Sequence, residues 1–253
     1  MTDPLDRRTF TSLGLASTTA LLSSGSGAAE RGGSHPRGIR KDQRTTITIL
    51  LYPGTTILDW IGPCEALAWV PEVDVVLAGK STDLMKNDRG AIDYKANVML
   101  DQIERTDVLI VPGGAKGLID ATNDPIISSW VRKIDMTTIY TVGICTGALM
   151  LSHLGLLKGR RATTYWKFTG LLAKDNAIFD PTERWVKDGK YWTSGGVSAG
   201  IDATLALIGD LYGTKAAMKA QLGIEYDPRP PYNAGSIHTA PLDVINELGG
   251  IVS

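Results

Sequence analysis

Cysteine is scarce in this chain: 253 residues hold only Cys64 and Cys145. A disulfide-stapled framework is therefore excluded. Histidine is nearly as rare, and His35, His153 and His238 are too scattered to build a Cys/His cluster with zinc-site spacing. No metal site is expected. An excess of one charge is also missing: 26 Lys and Arg stand against 27 Asp and Glu, a formal net charge of −1. No strongly basic face is implied, so nucleic acid is excluded as the expected partner. Neither a P-loop nor a G-x-G-x-x-G motif occurs, and there is no internal repeat. What is present is a 43% hydrophobic content, enough for a sizeable core in one α/β domain or two small ones.

The first thirty residues differ from the rest. Asp6-Arg7-Arg8-Thr9-Phe10 precedes a mildly apolar stretch, Leu13-Gly14-Leu15-Ala16 and Ala20-Leu21-Leu22, and small residues end it at Gly27-Ala28-Ala29. That order is a charged segment, an apolar segment and a cleavage site. The apolar part is too short and too broken by Ser and Thr for a stable membrane span. Paired arginines with Phe two positions on resemble a twin-arginine export signal, although Thr11 stands where that pattern usually has Leu. Residues 1–29 thus read as an export signal and imply a periplasmic or extracellular protein. The alternative is the frayed N-terminus of a cytoplasmic one. Residues 30–44 read as a flexible linker and 45–253 as the folded domain.

Thr46 to Tyr52 is a β-branched and apolar run stopped by Pro53-Gly54, which predicts a buried strand. A helix is expected to open at Gly62-Pro63 and end by Pro71. Further strands are predicted at Val73–Ala78, Asp107–Val111, Ile139–Val142, Arg184–Val186 and Tyr191–Thr193. Helices are predicted at Pro125–Met136, after Cys145 through Leu154, and at Ala199–Tyr212. Apolar strands alternating with amphipathic helices imply a parallel sheet covered on both faces, with ligands at the carboxyl ends of the strands. Asp227-Pro228-Arg229-Pro230-Pro231-Tyr232 predicts an extended tail.

Gly143-Ile144-Cys145-Thr146-Gly147 lies between an apolar strand and an apolar helix, the context of a nucleophile elbow with Cys in place of Ser. A helix N-terminus there is expected to favour thiolate and lower the cysteine pKa. The plainer alternative is a buried cysteine filling a tight turn. Pro112-Gly113-Gly114 ends a neighbouring strand, and the Gly114 and Thr146 N–H groups are expected to hold developing negative charge, unless the segment is an ordinary turn. Asp59 precedes the first expected helix, where an acid can serve the helix terminus alone.

Taken together, Gly143–Gly147, Arg161-Ala162-Thr163-Thr164-Tyr165-Trp166 and Gly195-Gly196-Val197-Ser198-Ala199-Gly200-Ile201-Asp202 resemble the DJ-1/PfpI superfamily. Asp59-Trp60-Ile61-Gly62-Pro63 with Glu65 is similar to the same group. The segment Gln221–Ser236, with Thr239-Ala240-Pro241, resembles its isocyanide hydratase branch. The likeness runs from about Thr45 to the end of the chain. It implies a flavodoxin-like parallel-sheet sandwich of the class I glutamine amidotransferase-like type, and typically a homodimer. It implies Cys145 as nucleophile, Asp59 as its proton-shuttling partner and Thr146 beside them, with Gly113, Gly114 and Tyr165 at the substrate. No cofactor is implied, and the partner is a small-molecule substrate, an isocyanide hydrated to an N-substituted formamide. The family often has His where this chain has Tyr165. A phenol is a poor base at neutral pH, so substrate handling or rate is expected to differ. At His238 relatives often carry an acid.

Protease-type relatives have His directly after the nucleophile, where this chain has Thr146, and amidotransferases need a late His-x-Glu, whereas His238 precedes Thr239-Ala240. Regulators with this domain append a helix-turn-helix module, for which the chain leaves no room after the domain. The remaining rivals are a ligand-binding or redox-sensing protein whose Cys145 is oxidised, and a glyoxalase-like hydratase of reactive carbonyls. Cys145→Ser is expected to abolish turnover of an aryl isocyanide followed by absorbance, and Cys64→Ser to keep most of it. Equal loss in both variants would instead indicate a Cys64–Cys145 disulfide, which an oxidising compartment permits, or the wrong cysteine.

Overall fold

The computed structural model describes residues 44–252. The export signal and nearly all of the expected linker lie outside the described residues. Arg44, placed by the sequence in that linker, is anchored. Its Nε pairs with Asp74 at 2.7 Å, and Nη2 donates to the Val73 carbonyl at 2.6 Å.

Eleven strands and eight helices are named here in chain order. They are β1 (Thr45–Leu51), α1 (Leu58–Leu67), β2 (Val73–Gly79), β3 (Met85–Lys86), β4 (Asp93–Tyr94), β5 (Val98–Met99), β6 (Val108–Val111), α2 (Lys116–Asn123) and α3 (Pro125–Asp135), followed by β7 (Tyr140–Ile144), α4 (Gly147–His153), β8 (Arg161–Ala162), α5 (Thr169–Lys174), β9 (Ile178–Phe179), β10 (Trp185–Asp188), β11 (Tyr191–Ser194), α6 (Ala199–Tyr212), α7 (Thr214–Gly223) and α8 (Leu242–Glu247). Seven strands form one sheet in the order β10-β11-β7-β6-β1-β2-β5. Every neighbouring pair in it is parallel except β10 with β11, so the expected parallel sheet carries one antiparallel edge.

Alternation along the central strands supplies both faces. Val108 and Ile110 of β6 join Ile47, Ile49 and Leu51 of β1 under α1 and α6, where Leu67, Leu207 and Leu211 pack. Leu109 and Val111 face the other way, onto Trp130, Val131 and Ile134 of α3 and Met150 and Leu151 of α4. The α3 face follows from helical spacing. Its start follows from Asp124, whose Oδ1 accepts the Ile126 N–H at 2.9 Å, with Pro125 in the first turn. Among the described residues no helix is long and apolar enough to cross a membrane.

Three expectations need correction. Helix α1 opens at Leu58, not at Gly62-Pro63, so Pro63 lies in its interior and offers no N–H to the carbonyl one turn back. Asp59 therefore sits in the first turn rather than ahead of the helix. The apolar Ile57-Leu58 pair begins the helix earlier because Trp60 and Leu67 must face the sheet. The short elements β3, β4, β5, β8 and β9 carry too few residues for a readable period, and the sequence left them unassigned. Finally, the proline-rich tail has no regular structure over residues 226–235, as expected, but a further helix, α8, follows it.

Chain order along the sheet reverses beside β1: the path moves outward through β2 and β5, then returns to β6 on the other side. The crevice at the carboxyl ends of β1 and β6 is such a switch point, the usual place for a ligand in an open α/β sheet.

Candidate active site

Four strand ends converge on this crevice, and each carries one part of the site. Strand β7 runs into Cys145, whose φ is +56°. A non-glycine residue in the left-handed region is strained, and the surrounding contacts hold it there. The Cys145 N–H is shared by the Ser194 and Gly195 carbonyls, each at 3.2 Å, and the Thr164 hydroxyl donates to its carbonyl at 2.8 Å. Gly147 lets α4 start at once. A Cβ there would lie 2.0 Å from the Val111 carbonyl oxygen of β6. The nucleophile elbow read from the sequence is therefore present in geometry.

Asp59 comes from the β1 side and is completely buried. Its Oδ2 accepts the Gly113 N–H at 2.8 Å, across the boundary between β1 and β6. Its Oδ1 is buried without a regular hydrogen-bond partner. The carboxylate interacts with the Cys145 thiol and the Val197 N–H. An acid that merely served a helix terminus would not be buried against a thiol, so that alternative does not describe Asp59.

Gly113 and Gly114 do something other than expected. A Cβ on Gly113 would meet Asp59 Oδ2 and Thr146 Oγ1, both at 2.7 Å, and the residue lies behind the cleft rather than on its wall. The Gly114 N–H donates to Thr146 Oγ1 at 3.0 Å, and the same hydroxyl donates back to the Gly114 carbonyl at 2.9 Å. Both N–H groups thus fix protein side chains. Of the two donors expected to hold negative charge, the Gly114 N–H is thus engaged by Thr146 Oγ1, while the Thr146 N–H, joined by that of Val197, interacts with the Cys145 sulfur.

Val197 was missed by the sequence reading except as part of a family-like motif. It sits between β11 and α6 at φ +48°, a second strained strand-to-helix turn. The signal was there: Gly195-Gly196 ahead of an apolar helix parallels the glycine-flanked elbow at Cys145. Gly196 also lets the Tyr165 ring close in, since a Cβ there would meet that ring at 2.3 Å.

The cleft above Cys145 has a volume of about 730 Å³. Cys145, Thr146, Gly114 and Tyr165 line it, while Asp59 and Gly113 form the layer beneath. Tyr165 is half-buried and leans on Trp166 and Phe168, with ring centroids 5.6 and 6.0 Å away. Neither His153 nor His238 lines the cleft. Among the described residues no group of three or more His, Cys, Asp or Glu is placed to hold a metal. Cys64 and Cys145 are both free thiols, and burial with the nearby Glu65 pushes Cys64 up to about 12.

Burial pushes the Asp59 carboxyl up to about 7, helped by the charge of Asp88 and opposed by the Gly113 N–H and the Cys145 thiol. Burial, and then the Asp59 charge, also push the Cys145 thiol up, against the Val197 and Thr146 N–H groups. Burial thus opposes the lowering that the helix N-terminus was expected to give. A helix terminus contributes about 0.3–2 kcal/mol, whereas full burial can move a pKa by about 3–5 units, some 4–7 kcal/mol. Burial and mutual proximity disfavour charging both groups together, so the pair titrates as a coupled unit that holds one proton between thiol and carboxyl.

Residues 45–209 match the DJ-1/PfpI family. The chain belongs to the DJ-1/PfpI family. It is 38% identical over 201 residues to isonitrile hydratase of Pseudomonas putida, which covers 79% of this chain and 87% of that protein. An HTH-type transcriptional regulator from Pseudomonas aeruginosa is 27% identical over 177 residues, covering 67% of this chain and 52% of the regulator. Among solved structures, a ThiJ/PfpI family protein from Pseudomonas syringae superposes with a TM-score of 0.78 at 33% identity, covering 81% of this chain and 84% of that one. The flavodoxin-like architecture inferred from the motifs is that of this DJ-1/PfpI fold.

Asp59 makes a stability prediction. Its folded pKa of about 7 exceeds its ordinary value of 3.8, so the folded state holds a proton that the unfolded chain releases. The wild type should therefore lose stability relative to Asp59→Asn as pH rises from about 4 to 7, and the gap should level off above that. Thermal melts should show Asp59→Asn the more stable variant at pH 8, by on the order of 2–4 kcal/mol, and near parity at pH 4. A gap independent of pH would contradict the raised carboxyl.

Proposed function

We propose that this protein is a cysteine-dependent isocyanide hydratase. The observation that carries the reading is the buried Cys145–Asp59 pair at the switch point, in a cleft that no described histidine lines. The 38% likeness to an isonitrile hydratase over most of both chains supports it.

The residues can perform the reaction with atoms balanced. Ionised Asp59 takes the thiol proton as the isocyanide carbon approaches, and the sulfur forms a bond to that carbon. The proton then passes from Asp59 to the same carbon, giving a thioimidate, R–N=CH–S–Cys145. Water next attacks this carbon, Asp59 takes one water proton and passes it to the substrate nitrogen, and the resulting R–NH–CH(OH)–S–Cys145 keeps the second water proton on its hydroxyl, from which it returns to the sulfur. The C–S bond breaks, the N-substituted formamide leaves, and the thiol regains its proton. The N–H groups of Val197 and Thr146 face the sulfur and steady the negative charge that it carries on forming and leaving. Thr146, bound to the Gly114 loop on two sides, keeps the elbow against that loop. Tyr165 serves as an aromatic wall.

Redox sensing uses an accessible thiol of low pKa. Cys145 is only 5% exposed and its pKa is raised, which weighs against that reading. A carbonyl hydratase would use the same nucleophile, so the decisive experiment offers an aryl isocyanide and a 2-oxoaldehyde side by side. Formamide production by the wild type is expected, with a loss of at least about 100-fold in kcat for Asp59→Asn, the size of a missing general acid–base. Turnover of the 2-oxoaldehyde alone, or a wild-type rate in Asp59→Asn, would sink the mechanism.

We also infer that the chain works as a homodimer. The apolar side chains of Tyr232, Leu242 and Leu248 stand exposed along the segment after Glu225, a surface suited to a second copy. Light scattering at micromolar concentration should give twice the chain mass; a monomer would refute the assembly.

A further inference from the structure

The mouth of the Cys145 cleft is built partly by a segment remote from the catalytic pair. Helix α8 ends in a reversal: Gly249 and Gly250 have φ of +86° and +61°, and the Gly250 N–H bonds to the Ile245 carbonyl at 3.0 Å. This is a Schellman-type stop, and it turns the chain back over the 3-10 turn at Trp166–Phe168. Lys167 grips the returning segment twice. Its Nζ donates to the Leu248 carbonyl at 2.6 Å, and its own carbonyl accepts the Val252 N–H at 2.7 Å. The result sets Leu248 and Glu247 on the cleft that contains Cys145, which Ile57, Phe168 and Val197 also line.

We propose that Leu248 is a specificity-determining wall of this cleft, held in place by a strap of residues 242–252 latched to Lys167. Three observations support this. The strap meets the cleft at Glu247 and Leu248, of which Leu248 is the apolar one, whereas Lys167 holds it through the Leu248 carbonyl and the Val252 N–H, so the Leu248 side chain can vary without removing the anchor. The reversal needs the left-handed conformation at Gly249, and a Cβ there would also meet Lys167 Nζ at 2.7 Å, so this glycine is tied to the latch itself. Leu248 is 57% exposed and outside the core, so trimming it leaves the fold standing and its effect on the cleft can be read by itself. An apolar isocyanide substituent would be sized by Leu248 together with the Tyr165 and Phe168 rings, which line the same cleft as Cys145. The identity of that substrate rests on the hydratase reading, but the wall does not.

Alkylation separates the two. In a Cys64→Ser background only Cys145 reacts, and its second-order rate is measured with iodoacetamide and with a pyrenyl maleimide. Leu248→Ala should raise the bulky-to-small rate ratio by about tenfold, the effect expected of a few methylenes in an apolar pocket. Leu248→Trp should lower it. Gly249→Val, which breaks the reversal without touching the catalytic pair, should raise it as Leu248→Ala does. The kcat/KM ratio for a naphthyl over a methyl isocyanide should move in the same directions. An alkylation ratio unchanged in all three variants overturns the wall, even if isocyanides are hydrated. A shifted ratio in a protein that hydrates no isocyanide upholds the wall and removes the hydratase reading instead.

Discussion

One hydrogen bond organises the site: the Gly113 N–H to Asp59 Oδ2 at 2.8 Å, joining the strand end of β6 to the helix that follows β1. A fully buried carboxylate costs several kcal/mol unless it is neutralised or well satisfied. Here it receives one regular hydrogen bond, leaves Oδ1 without one, and lies against a thiol. That partial satisfaction keeps the group near its titration point. A second N–H of good geometry would hold it ionised, and none would hold it protonated.

The glycine loop after β6 shows how such a balance is built. Its two N–H groups are assigned to Asp59 and Thr146, so the loop aligns two residues beside Cys145. The donors that face the sulfur come from the two strained turns after β7 and β11. Holding Cys145 and Val197 at positive φ costs of order 1–3 kcal/mol each, which the close packing of α4 and α6 on the sheet offsets.

The backbone of this arrangement was legible from residues alone, because the apolar runs of β1, β6 and β7 and the helical spacing of α3 reflect burial on both faces of a sheet. The elbow was legible for the same reason, since glycines flank a cysteine between strand and helix. What stayed hidden depends on contacts between distant segments. No local pattern shows that the Gly114 N–H is occupied by Thr146, or that burial outweighs the helix end at Cys145. The start of α1 was misplaced because Gly62-Pro63 resembles a helix opening, and only packing of Trp60 and Leu67 on the sheet reveals that the helix has already begun. Val197 carried no polar side chain to draw notice; its contribution is a backbone N–H.

The Cys145 thiol is enclosed by parts drawn from four separate stretches: Asp59, Gly113, the elbow itself and Val197. Such a site depends on long-range pairing and is completed only when β1, β6, β7 and β11 lie side by side. An incompletely folded chain would carry an ordinary solvent-facing thiol, open to oxidants and disulfide exchange. Once the sheet closes, the same sulfur is buried and shielded, and in the proposed hydration it becomes nucleophilic only when a guest in the cleft draws its proton toward Asp59. Under that proposal folding acts as the chemical protecting group of this cysteine, removed one substrate at a time.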